Sequence, residues 1–493
     1  MKKNVLLYAL IIGVFSCLIW FVINKGKNLV PNTQLISTTV SPLNKIVDKS
    51  APVVISSNQS VVEQFLHNIK SPLGLLLLQI LAIVFVAKLF GAIFSALGQQ
   101  TVVGEMIAGI FLGPSIMGFF FPTFSSFLFP LSSMSNLQFL SQIGLVFFMF
   151  IIGMDLDLDK LKNKAHNALV ISHVSIAFPY FLGVLVSYFI YQEFAPVNVS
   201  FLGFSLFIGI AISITAFPVL ARILHERGLT RTALGAIVLT CAAADDITAW
   251  CILAAVVAIV KAGSVLSAMF TILLALIFVF IMLKLIRPWI NSISKRYDDE
   301  EGLNKRLVMI VFFILIASAY IAEIIGIHAL FGAFLAGVIM PQRLQFKELL
   351  ANKIEDISVL LLLPIFFAFT GLRTQIGLLS EGHLWASCGL IIFIAVLGKF
   401  GGSSISAKLV GYSWQDSLSI GALMNTRGLM ELIVLNIGYD LGILSPAIFA
   451  IMVLMALTTT FMTGPLLNLI EFCYRKKLPT EEIPITPVGK LSA

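Results

Sequence analysis

The sequence predicts an all-α, polytopic membrane protein. Hydrophobic residues fill 59% of its 493 positions and charged residues only 12%, against about 25% charged in soluble domains. The apolar residues form helix-length runs, not the roughly ten-residue alternating strands of an outer-membrane barrel. Basic residues give a net charge of +7 and gather beside the ends of those runs, in every second loop. Dispersed in this way they report topology, and nucleic acid binding is not indicated.

Fourteen spans are predicted, approximately 5–23, 73–97, 103–121, 137–154, 166–191, 200–221, 233–260, 264–286, 307–325, 328–341, 357–379, 384–409, 416–438 and 443–470. The first follows Lys2, Lys3 and Asn4 and resembles a signal peptide. Its apolar run is long and no small-x-small site follows, so residues 1–23 read as an uncleaved anchor. Residues 24–70 would form a polar extracytoplasmic segment, too short for a substantial core. The membrane domain is placed at 71–474 and a short tail at 475–493. Lys160, Lys162 and Lys164, then Arg222, Arg227 and Arg231, then Lys284 to Arg306, and Arg343 to Lys353 share one side if the spans alternate. That side is cytoplasmic by the positive-inside rule. Both termini then lie in the cytoplasm, and the membrane is the inner one. Cys17, Cys241, Cys251, Cys388 and Cys473 lie in or beside apolar spans, so neither a disulfide framework nor a zinc site is expected. No Gly-x-Gly-x-x-Gly unit follows a strand, and no cofactor is implied.

Two features hint at an inverted repeat. Span three carries Gly104, Gly109 and Pro114, while span ten carries Gly332, Gly337 and Pro341, and the two run in opposite directions. Small residues on membrane helices also serve close packing alone. Span six contains Ser213-Ile214-Thr215-Ala216-Phe217-Pro218, where proline frees carbonyls near Ile214; an ordinary proline kink is the alternative. Span thirteen contains Asn425-Thr426-Arg427-Gly428, a poor lipid-facing sequence. Irregular backbone at membrane depth needs protein or a water cavity around it, and paired broken helices mark midplane binding sites in secondary transporters.

The charges carry the functional reading. Asp245 and Asp246 fall at the middle of the run Ala233 to Val260. An ionised group there costs roughly 2.5–3.5 kcal/mol on insertion scales, so two adjacent carboxylates point to a bound cation or proton. Lys399 lies near the centre of span twelve between Gly398 and Gly401-Gly402, where the glycines permit close helix approach. It needs a carboxylate partner, and either aspartate could serve. Consecutive helical residues are rotated by about 100°, so one carboxylate can pair with Lys399 while the other faces a cation. Arg427 and Glu431 are spaced to meet on one helix face, as a structural ion pair or a coupling element. Glu105 and Lys88 lie nearer the cytoplasmic ends of their spans, Arg373 and Glu323 nearer the outer face, and His328 reads as interfacial.

These residues resemble the second monovalent cation:proton antiporter family. The likeness is carried by Ile212 to Ala216, Ala242 to Trp250, Val103 to Pro114, Gly144 to Met154, Gly332 to Gly337 and Thr426 to Glu431, in order from about residue 73 to 470. The resemblance implies a sodium/proton antiporter-like fold of thirteen core helices plus the N-terminal one, with two broken, crossing helices. It also implies a homodimer, elevator-like alternating access and exchange of Na+ or K+ for protons without a cofactor. By position, Asp246 would hold the cation or proton, Asp245 would pair with Lys399, and Ser213 and Thr215 would flank the break. The N-terminal span and residues 24–70 have no counterpart in that pattern. A cation channel, or a membrane sensor or scaffold with a vestigial site, are the rival readings.

Overall fold

The computed structural model describes residues 2–29, 71–97, 99, 101–155, 165–229, 232–261, 265–296, 305–341, 354, 356–379 and 382–474. Most of the expected 24–70 segment and the tail from 475 lie outside them. Among the described residues ten helices are long and apolar enough to cross a membrane, or eleven if the bent pair Trp414–Met424 and Leu429–Asp440 is one span. Shorter apolar helices cover Leu10–Gly26, Phe201–Ser213 and Ala329–Val338. Each predicted run therefore carries a helix.

In chain order the principal helices are α1 (Lys2–Gly26), α2 (Pro72–Ala96), α3 (Thr101–Leu112), α4 (Met134–Asp155), α5 (Ala165–Phe194), α6 (Phe201–Ser213), α7 (Phe217–Glu226), α8 (Ala233–Lys261), α9 (Val265–Ile281), α10 (Lys305–Ile325), α11 (Ala329–Val338), α12 (Leu363–Arg373), α13 (Gly382–Val396), α14 (Gly402–Val410), α15 (Trp414–Met424), α16 (Leu429–Asp440) and α17 (Pro446–Tyr474). Local signals set several starts. The Ser71 hydroxyl accepts from the Gly74 amide at 3.2 Å with Pro72 in the first turn of α2, Ser200 caps α6 through Gly203, and Ser413 caps α15 through Asp416. Single π turns interrupt the apolar runs at Met282–Ile286, Ser358–Leu362 and Leu397–Gly401.

The helices pack as two groups. One joins α2, α3 and α4 to α10, α11 and α12; the other joins α5 to α8 with α13 to α17, and α9 touches both through α8 and α10. Helix α1 lies on α5 and α6, with Phe15 against Phe178 and Phe181 at ring separations of 5.7 and 5.8 Å.

Glycines fix the first group in a symmetric way. A Cβ on Gly104 of α3 would collide with the Phe90 carbonyl of α2, and one on Gly332 of α11 with the Ser318 carbonyl of α10. A turn and a half onward, Gly109 abuts Phe367 and Gly371 of α12, while Gly337 abuts Phe150 and Gly153 of α4. In each half the first glycine admits the preceding helix, and the second admits the third helix of the other half. The matching sequence spacing therefore has a packing cause, and the halves interlock through it.

Gly371→Leu should lower the thermal midpoint of the detergent-solubilised protein, because over-packing costs typically about 1–3 kcal/mol and the colliding atoms here are backbone. Gly389→Leu, where nothing lies within 4 Å, should leave the midpoint in place. Equal midpoints for the two variants would show that the crossing does not support the fold.

Candidate functional site

Where α6 ends, three carbonyls lose their helical partners. The helix stops at Ser213, and Ile214 is extended at φ −72°, ψ 138°. Pro218 then falls in the first turn of α7, where its missing N–H costs no helical bond. The unused carbonyls take cations from other helices. Arg427 donates to Ala211 O at 3.1 Å and to Ile212 O, and Lys399 Nζ donates to Ser213 O at 2.6 Å. Positive charge at a helix C-terminus also opposes the negative end of its dipole.

The second interruption lies against the first. Between α15 and α16, Asn425 to Gly428 leave the helix, and the two halves are bent by 41°. Gly428 sits at φ 143°, a conformation that suits only glycine. The Ala216 amide donates to Thr426 O at 3.0 Å, and the Thr215 hydroxyl reaches Met424 O at 3.3 Å. The two breaks thus satisfy part of each other's backbone, which hydrocarbon could not do.

Asp245 and Asp246 face this meeting point from α8, and neither exposes any surface. Their surroundings differ sharply. Lys399 Nζ lies 2.9 Å from Asp245 Oδ2. Asp245 also accepts from Ser172 at 2.6 Å, Thr215 at 2.8 Å and Ser175 at 3.2 Å. Neither oxygen of Asp246 accepts a hydrogen bond from a described residue. The Phe217 amide, first in α7, lies near enough to act on it electrostatically without closing a bond of ordinary geometry. The side chain of Asn425 is likewise fully buried with both polar atoms unpaired.

Lys399 reaches this depth because its helix is altered around it. It sits in the π turn Leu397–Gly401, and Gly398 and Gly402 let the backbone close on Pro179 and Phe178 of α5. Pro179 has no N–H, so it leaves the carbonyl four residues earlier, that of Ser175, without a helical partner. Lys399 donates to that carbonyl at 2.9 Å and to the Ser175 hydroxyl at 2.9 Å.

The remaining expected residues divide in two. Ser213 contributes its carbonyl, while its hydroxyl turns back to Ile210 O at 3.0 Å. Arg427 and Glu431 approach to 3.4 Å, both fully buried, but no hydrogen bond closes between them. Glu105 is not brought to the aspartates; it lies on α3 beside Lys88 at 3.4 Å, in the other helix group. Sequence reading missed Ser172 and Ser175. The available signal was Pro179, whose position frees one carbonyl within an apolar span.

Comparisons with known proteins show the family of the chain. Residues 81–470 match the family described as sodium/hydrogen exchanger, transmembrane. The chain is 43% identical over 393 residues to the Na+/H+ antiporter NhaS4 of Synechocystis sp., covering 80% of this chain and 96% of that one. It is 39% identical to cation/H+ antiporter 17 of Arabidopsis thaliana, over 85% of this chain and 51% of the relative. With K+/H+ antiporter 1 of Saccharomyces cerevisiae it shares 35% identity, over 83% of this chain and 48% of that one. It thus spans about half the length of the plant and yeast proteins. The solved structure of a sodium proton antiporter from Methanocaldococcus jannaschii shares the fold, at TM-score 0.54 and 14% identity over 82% of this chain and 98% of that chain. With most of its length matched in these ways, the chain belongs to the sodium/hydrogen exchanger family.

Proposed function

We propose that this protein is a secondary transporter that exchanges a monovalent cation, Na+ or K+, for protons at Asp246. The observation that carries the reading is the contrast between adjacent carboxylates: Asp245 holds four side-chain donors, whereas among the described residues Asp246 has no side-chain donor and only the Phe217 amide nearby. A buried charge without a partner is expensive. Asp246 is neutral when it binds a proton and compensated when it binds a cation, so the two compete for one site. Ionised, it offers the hard oxygen that such cations prefer, and the carbonyls and hydroxyls of the two breaks supply further oxygens. Asp245 is then a fixed charge held by Lys399, and Arg427 with Glu431 secures the second break.

In this reading the helix group bearing the aspartates moves against the other group, which exposes the site to each side in turn. The sodium/proton and potassium/proton exchange named for the relatives supports the chemistry. The chain acts as a homodimer in the inner membrane, with the domain 71–474 as the transport unit and both termini in the cytoplasm.

In proteoliposomes loaded with a pH-sensitive dye, added Na+ or K+ should drive proton movement, and Asp246→Asn should abolish it. Lower pH should raise the KM for the cation, since protons occupy the same carboxylate. Full exchange in the Asp246→Asn protein would overturn the assignment. Lys399→Met tests the fixed pair: removing one partner of a buried ion pair costs about 3–5 kcal/mol, which should appear as a lower thermal midpoint. Adding Asp245→Asn to Lys399→Met should recover part of that loss, because no carboxylate is left uncompensated.

A further inference from the structure

On the face opposite the basic loops, a ladder of polar side chains ties the two helix groups together. Thr370 and Arg373 project from one end of α12, and Asn436 and Asp440 from the facing end of α16. Arg373 lies 2.7 Å from Asp440 and donates to Asn436 Oδ1 at 3.1 Å. The Asn436 amide donates to the Thr370 hydroxyl at 2.8 Å, and Gln138 of α4 donates to Asp440 at 3.3 Å. The guanidinium also sits over the rings of Phe369 and Tyr439, at 4.1 and 5.1 Å from their centres, one ring from each group. Yet α12 packs on α2, α3 and α4, and α16 on α6 and α17, so side chains, not helix packing, dominate this join.

Two small cavities lie along α16 below the ladder. The first, about 20 Å³, reaches the ladder itself at Gln138, Asn436 and Asp440 and has mixed walls, with Ser141 and His328 beside Leu330 and Phe366. The second, about 10 Å³, is bounded by Ile214 at the first break, by Ala249 and Trp250 one turn beyond Asp246, and by Met430 and Val434. The Trp250 ring stacks on Phe334 of α11 at 6.1 Å, closing the seam, while its indole N–H is buried without a partner. Each space is near the size that holds one water molecule. Along α16, from Asp440 toward Met430, the order is therefore charged ladder, a first cavity adjoining it, and a second cavity one helical turn beyond Asp246, with the aromatic stack at the seam.

We propose that the ladder is a clasp that closes the outer route to Asp246, and that it opens when the helix groups shift. Hydrogen bonds fail beyond about 3.5 Å, so a slide of one helical turn, about 5.4 Å, breaks every rung together. Asp440 has a second effect. It cancels the charge of Arg373 at the entrance, where an unopposed guanidinium would repel arriving cations. The proposal rests on the exchange reading only in taking the two groups to move past one another.

The test reads opening without requiring transport. In proteoliposomes of a variant with the native cysteines replaced, Ser141→Cys reports access to the first cavity through its labelling by a membrane-impermeant maleimide. Combining Arg373→Ala with Asp440→Ala should speed that labelling about tenfold, the scale of a lost charge-assisted hydrogen bond. Unchanged labelling would overturn the clasp. In a second arm, Arg373→Cys with Asp440→Cys is joined by a reducible bis-methanethiosulfonate linker. Cation-driven proton flux should stop and return on reduction; flux that persists through the linked state would also overturn it. Should the cysteine-free protein not fold, Arg373→Asp and Asp440→Arg in the native background replace it. Each single reversal should slow exchange and the double reversal should restore it, and a double variant no better than the singles counts against the clasp. Absence of proton flux from the unaltered protein, with labelling still accelerated, would refute the exchange reading and leave the clasp standing.

Discussion

The site depends on how the end of α6 is satisfied. A helix that stops inside hydrocarbon leaves carbonyls with no water to receive them. Here Ala211, Ile212 and Ser213 give theirs to Arg427 and Lys399, so the break exists only while two cations are held at membrane depth. Those cations need anions. Lys399 has Asp245, and Arg427 has Glu431 nearby. The buried charges are thus linked by need to the broken backbone, and removing any one exposes another.

Around this network the fold separates rigidity from motion. The first helix group is locked by backbone crossings at Gly109, Gly371, Gly153 and Gly337, contacts too close to slide gradually. The second group holds the aspartates, Lys399 and both breaks in one packed body. Polar side chains, a ring stack and a small packing contact between α3 and α17 span the seam between the groups, and side-chain contacts of that kind can be exchanged one set for another. An arrangement of two stiff bodies with a re-formable join suits a site that must face each side in turn.

Much of this was legible because charge in an apolar run is rare. Asp245, Asp246, Lys399, Arg427 and Glu431 stood out by residue type alone, and Gly398 and Gly402 announced the close approach at Lys399. The breaks were legible from Pro218 and from Asn425 to Gly428. Ser172 and Ser175 were not, since most membrane-helix hydroxyls merely bond their own backbone, as Ser187 does to Gly183 O. The role of Ser213 was hidden for a different reason: its carbonyl acts where its hydroxyl drew attention, and backbone groups leave no mark in residue type. Glu105 and Lys88 read as charges nearer the cytoplasmic ends of their spans, and tertiary packing adds that they meet each other in the other group. The π turn around Lys399 has no sequence signature of its own.

The geometry also bears on how a cation and a proton could be coupled in the exchange reading. The oxygens at the first break are already engaged: Ser213 O by Lys399, Ala211 O and Ile212 O by Arg427, and the Thr215 hydroxyl by Asp245. A carbonyl oxygen has two lone pairs, so a cation can share these acceptors, but each shared oxygen weakens an existing bond. The arriving ion therefore competes with the Lys399 ammonium for the same negative charge, as well as with a proton for Asp246. Coupling then requires no contact between cation and lysine, because the carbonyls at the end of α6 connect them.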